Sequence, residues 1–163
     1  RDMFLFSFYT RGMSFIDMAY LKKSDLKNGI ITYRRRKTGQ QLTVKWEKCM
    51  EDIIAKYGEN TATRYLLPII TNPCSDERTQ YRNAICRINV ALKEVAGLAG
   101  LNIPLTMHVA RHCWASVAKS KNIPLSVISE GMGHDSEETT RIYLASLDTS
   151  VVDKANSLIL KDF

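Results

Sequence analysis

One β-hairpin set among helical patterns decides the fold class of this chain. Ile30-Ile31-Thr32-Tyr33 is a run of β-branched and aromatic residues, Lys37-Thr38-Gly39-Gln40 reads as a turn, and Leu42-Thr43-Val44 as the returning strand. Around it the apolar residues recur at helical spacing. Phe4 to Tyr9 and Ser14 to Leu21 form two segments with a break near Gly12. Glu47 to Tyr57 is a short amphipathic helix ending before Gly58. A long helix is expected from about Glu77 to Ala99, capped by Ser75 or Asp76. Further helices follow over about His108 to Lys119, after Pro124, over about Ser136 to Ala145, and over about Ser150 to Ile159. Tyr65 to Ile70 reads as a short strand that Pro68 restricts to a sheet edge or an irregular path. The expected class is mainly α with a small antiparallel β-sheet, an α+β fold.

At 163 residues the chain fits one domain with a single core. No apolar run approaches the ~20 residues of a membrane span, so a membrane partner is not expected. The opening Arg1-Asp2-Met3 runs straight into helical sequence without a Met start, and no signal peptide is expected there. The formal charge of +6 is compatible with a polyanionic partner without requiring one. Cys49, Cys74, Cys86 and Cys113 make no Cys-x-x-Cys pair, which argues against a zinc ribbon or a thioredoxin-like site and fits a reducing cytosol.

The chemistry concentrates in the C-terminal third. His108-Val109-Ala110-Arg111 is followed 23 residues after Arg111 by His134, in Gly133-His134, and 9 residues after that by Tyr143. At i, i+3, His108 and Arg111 project from one side of a helix. A guanidinium fork matches two non-bridging phosphate oxygens and stays charged at any working pH. The imidazoles of His108 and His134 can donate to the same phosphate or move a proton near neutrality. Charge building on a phosphate under attack is best met by such preorganised cations and donors. A free phenol titrates near ~10, so a nucleophilic Tyr143 needs help with its proton or cationic surroundings. His108 and His112 also have the i, i+4 spacing of a helical zinc pair, but no third ligand accompanies them, and no metal is expected.

These motifs, in this order and spacing, resemble the catalytic domain of the tyrosine recombinase (phage integrase) family, and the resemblance extends over residues 1–163. It implies site-specific DNA strand cleavage and rejoining through a 3′-phosphotyrosyl intermediate on Tyr143, with Arg111, His108 and His134 around the phosphate and no cofactor. It places Lys37, at the hairpin turn, as the donor of a proton to the leaving 5′-oxygen. Arg34, Arg35 and Arg36 beside it offer plain phosphate contacts. The implied partner is double-stranded DNA, bound by a homo-tetramer with DNA-bending accessory proteins, in the bacterial cytoplasm and on behalf of a mobile element. The family's separate N-terminal DNA-binding domain has no counterpart in this chain, so a longer natural protein is expected. The last helix, over about Ser150 to Ile159, is expected to dock on a neighbouring subunit. A type IB topoisomerase shares the site chemistry, but the compact spacing favours recombination.

One family position departs. Where the family carries an arginine in Gly-x-Arg with an acidic residue three further on, this chain reads Gly12-Met13-Ser14-Phe15-Ile16-Asp17. Asp17 keeps the acidic place as a buttress, and Ser14 stands where the arginine would. If the helix runs on through Gly12, Arg11 shares a face with Ser14 and can substitute, with Arg34 to Arg36 as further candidates.

Overall fold

The computed structural model describes residues 1–58 and 62–145, and the expected final helix over Ser150 to Ile159 lies outside them. The chain divides into two compact units, Arg1–Trp114 and Ala115 onward.

The first unit opens with α1 (Asp2–Tyr9), whose Met3 and Phe6 enter the core. It ends where the sequence breaks. The Thr10 hydroxyl turns back to the Phe6 carbonyl at 2.7 Å, and the Gly12 N–H donates to the Ser7 carbonyl at 2.8 Å. Arg11 (φ 60°) and Gly12 (φ 73°) both take left-handed backbone there. The Ser7 hydroxyl, fully buried, donates to the Met13 carbonyl at 2.7 Å and holds the reversed chain against α1. Ser14 then caps α2 (Phe15–Ala19), accepting from the Asp17 N–H at 3.3 Å.

The hairpin becomes a three-stranded antiparallel sheet in the order β1 (Leu26–Lys27), β2 (Ile30–Arg34) and β3 (Gln41–Lys45). Ile31 pairs with Val44 and Tyr33 with Leu42, and all four are buried while the alternate residues face solvent. This is the period-two pattern of a sheet with one covered face. α3 (Lys48–Tyr57) sends Met50 and Ile53 into the same core.

Tyr65 to Ile70 does not form the short strand its composition allowed. A single bridge joins Lys22 to Tyr65, the Leu66 N–H donates to the Leu21 carbonyl at 2.8 Å, and the rest is irregular. Pro68 has no N–H to continue a ladder. The segment is held instead by buried Tyr65, Leu67 and Ile70, with the Tyr65 hydroxyl donating to Glu77 at 2.7 Å. α4 (Glu77–Leu98) begins at the Asp76 cap, whose carboxylate accepts from the Thr79 N–H at 2.7 Å. α5 (Met107–Ser120) starts with the Met107 N–H donating to the Asn89 side chain of α4 at 2.9 Å.

In the second unit α6 (Leu125–Met132) packs on α7 (Glu137–Ala145), burying Ile128, Met132 and Leu144. Left-handed Gly133 closes α6, and the His134 N–H donates back to the Ser129 carbonyl at 3.0 Å. No helix among the described residues is long and apolar enough to cross a membrane.

Gly12 and Gly39 separate two effects of a side chain at positive φ. A Cβ on Gly12 would stand 2.8 Å from Arg111 Cγ and 2.9 Å from Arg111 Cα, whereas one on Gly39 would meet nothing within 4 Å. Gly39→Ala should cost only the left-handed backbone, about 1–2 kcal/mol. Gly12→Ala adds overpacking and should cost about 2–5 kcal/mol, read as a larger drop in the urea midpoint.

Candidate active site

α5 carries His108 and Arg111 on one side of adjacent turns, as the spacing predicts. Arg111 is 7% exposed, and its guanidinium donates to the Gly12 carbonyl at 2.8 Å. The approach of α5 to the Arg11–Gly12 turn is so close that only a residue without a Cβ fits. His108 and Arg111 line a cleft together with Ser14, Phe15, Tyr81 and Met107. The His112 ring stands edge-on to His108, centroids 4.4 Å apart. Among the described residues no group of three or more His, Cys, Asp or Glu could hold a metal ion.

Asp17 joins two parts of this unit. Its side chain is buried, one oxygen accepting the Ser14 hydroxyl at 2.6 Å and the other the Arg36 backbone N–H at 2.8 Å. The first bond spends Ser14 on α2. The second fastens the root of the β2–β3 turn, which carries Lys37 exposed near its tip. The flanking arginines differ in what they do. Arg34 donates to the Gly39 carbonyl at 3.2 Å within its own turn, Arg36 lies 3.9 Å above the Tyr20 ring, and Arg35 is buried.

The electrostatics show which charges share this space. The Tyr33 phenol is pushed well above its ordinary value by burial and then by Asp17, while Arg111, Arg35 and Arg11 pull it back. His108 is held below the ordinary imidazole value by desolvation first, then by the charges of Arg111 and Lys37. His112 is lowered by desolvation, then by His108 and Arg111. His108 therefore lies within electrostatic reach of both Arg111 and Lys37.

Arg11 does not share a helical face with Ser14, because α1 stops at Tyr9 and Arg11 sits in the left-handed turn. Its charge nevertheless acts on Tyr33, so it belongs to the same surroundings. Tyr33 and the Gly12 carbonyl were not singled out from sequence. Strand alternation could have found the first; the second depends on a tertiary approach.

The second unit brings His134 and Tyr143 together. Their rings meet edge-on with centroids 5.5 Å apart, and His134 Nδ1 shares a 2.8 Å hydrogen bond with the buried Thr140 hydroxyl. Thr140 thus orients the imidazole, a role the sequence did not announce.

A family model described as "Phage integrase family" matches residues 3–150, and the chain belongs to that family. No curated protein sequence matches it significantly. Among solved structures it resembles XerA recombinase, with TM-score 0.68 and 21% identity over 96% of this chain and 56% of that one. It also resembles XerH site-specific recombinase bound to difH substrate in a pre-cleavage complex, with TM-score 0.65 and 19% identity over 95% and 44%. The catalytic domain of bacteriophage HP1 integrase aligns with TM-score 0.52 and 20% identity over 96% and 79%. The chain spans about half the length of the first two.

Two lowered histidines make stability depend on pH. Between their folded values and the unfolded value near ~6.5, the unfolded chain binds more protons. Stability is therefore complete above about 6.5 and falls as acid protonates both rings. Urea midpoints should drop between pH 7.5 and 5.5 in the wild type, and drop less in a His108→Gln, His112→Gln variant.

Proposed function

We propose that this domain cuts and rejoins double-stranded DNA as a site-specific tyrosine recombinase, through a 3′-phosphotyrosyl intermediate on Tyr143. The observation that carries the reading is Arg111: a buried guanidinium pinned by the Gly12 carbonyl, with His108 beside it under the charges of Arg111 and Lys37. Such a preorganised cationic cluster suits a phosphodiester that gains charge during displacement. Membership of the phage integrase family and the DNA-bound XerH relative support the substrate class.

In this mechanism Tyr143 attacks phosphorus, its proton passing to His134 or His108, and the bond to the 5′-oxygen breaks. Lys37 gives that oxygen a proton, and Asp17 keeps the turn bearing Lys37 in place. Arg111, His108 and His134 hold the phosphate oxygens, Arg11 adds positive charge, and Arg34 and Arg36 contact neighbouring phosphates. The phosphotyrosyl bond conserves the phosphodiester energy, so rejoining to a second strand needs neither nucleotide nor metal. The wider setting proposed is a mobile-element recombinase of bacterial origin, a homo-tetramer on DNA assisted by DNA-bending proteins. Its DNA-binding domain would lie outside residues 1–163.

Tyr143→Phe removes one oxygen, and folding and DNA binding should persist while covalent adducts on a nicked suicide substrate vanish. An adduct formed by the Phe variant would remove Tyr143 from the nucleophile's role. Cleavage should survive EDTA; activity lost to chelator and restored by magnesium would defeat the mechanism. Lys37→Ala should slow cleavage of an ordinary substrate by roughly 100-fold or more and far less when the leaving 5′-oxygen is sulfur, which needs no proton. Equal slowing of both substrates would take the general-acid role from Lys37.

A further inference from the structure

We infer that Arg35 supplies the second guanidinium of the phosphate site, in place of the arginine absent at Ser14. The inference rests on the proposed phosphate chemistry and deepens it.

Ser14 cannot serve, because its hydroxyl is spent on Asp17 at 2.6 Å and on capping α2. Of the three consecutive arginines, strand geometry selects one. Successive side chains along β2 point to opposite faces. Ile31 and Tyr33 occupy the covered face at 0% and 8% exposure, and Arg35, two residues on, keeps that phase at 8%. Arg34 and Arg36 fall on the exposed phase, one bonded to Gly39 and the other stacked on Tyr20.

The backbone around Arg35 is fixed on both sides. Its N–H donates to the Gln40 carbonyl at 2.8 Å, its carbonyl accepts from Gly39 at 2.8 Å, and the next N–H is held by Asp17. Such anchoring is what a phosphate-positioning side chain requires. Arg35 and Arg111 are both buried and both act on the Tyr33 phenol, so the two guanidiniums share one environment. Arg11 also acts there but is less buried and leaves from the α1 turn. Among the described residues acting on that phenol, the acid Asp17 is set against three guanidiniums. Buried cations in excess of buried carboxylate favour binding of an anion, and a phosphodiester is the anion this reading supplies.

The test measures covalent adduct on nicked suicide DNA in the full-length protein, with a scissile phosphate either ordinary or replaced by a neutral methylphosphonate. A side chain that neutralises a non-bridging oxygen becomes less necessary once that oxygen's charge is gone. Arg35→Ala should lose roughly 100-fold on the ordinary substrate and less than about tenfold on the methylphosphonate. Arg35→Gln, closer in size, should behave alike while keeping the wild-type melting temperature, which separates the chemistry from folding. Arg11→Ala should lose less than either variant on the ordinary substrate. Equal losses on both substrates, activity within a few-fold of wild type, or methylphosphonate relief for Arg11→Ala but not for Arg35→Ala would each overturn the assignment. Tyr143→Phe run alongside tests the underlying reading separately, since adducts from that variant would refute the tyrosine mechanism whatever Arg35 does.

Discussion

The bond from the Arg111 guanidinium to the Gly12 carbonyl, 2.8 Å long and spanning 99 residues of chain, is what the rest of the first unit is arranged around. Arginine cannot shed its proton to relieve burial, as lysine or histidine can, so a 7%-exposed guanidinium must find acceptors or remain a large cost. The structure meets this with a backbone carbonyl, which orients the fork without neutralising it. That choice dictates the local chain. The carbonyl can be offered only if α1 stops at Tyr9, the backbone passes through two left-handed residues, and the residue facing α5 has no Cβ. A carboxylate in the same place would have cancelled the guanidinium's charge.

Asp17 is the complementary device. It is buried and close enough to raise the Tyr33 phenol, yet its oxygens are taken by a hydroxyl and a backbone N–H. The carboxylate therefore ties α2 to the β2–β3 turn and leaves the cations outnumbering it. The cost of burying these charges is offset by a core that includes Phe6, Met18, Ile31, Leu67 and Leu92. Stability given up at a site to preorganise it for charge is a familiar exchange in enzymes.

Much of this was legible in sequence because periodicity and register are local signals. The hairpin, the Gly12 break, the Asp76 cap and the helices carrying His108, Arg111 and Tyr143 all follow from side-chain spacing and capping chemistry. The two-residue β1 was not legible, being too short to show a period, and neither was the irregular path of Leu66 to Ile70. That path follows core burial and pairing to Leu21 across the unit, which no local pattern encodes. Arg11 shows how a conditional step misleads: a three-residue offset places two side chains on one face only within an unbroken helix. Arg35 is the converse. Its phase with Ile31 and Tyr33 was written in the chain, but a charge in a run of four cations reads as a solvated surface until burial is seen.

The depressed proton affinity of His108 acquires a meaning from these charges. Desolvation and the fields of Arg111 and Lys37 hold its imidazole below the ordinary value. On the proposed reading, a phosphodiester entering beside Arg111 brings the negative charge that offsets both cations, and proton affinity at His108 rises as DNA binds. The same cations that disfavour the proton at His108 would then hold the anion that offsets them. On that reading phosphate binding and proton affinity at His108 are linked, so an imidazole better able to take the Tyr143 proton is favoured where a scissile phosphate is in place.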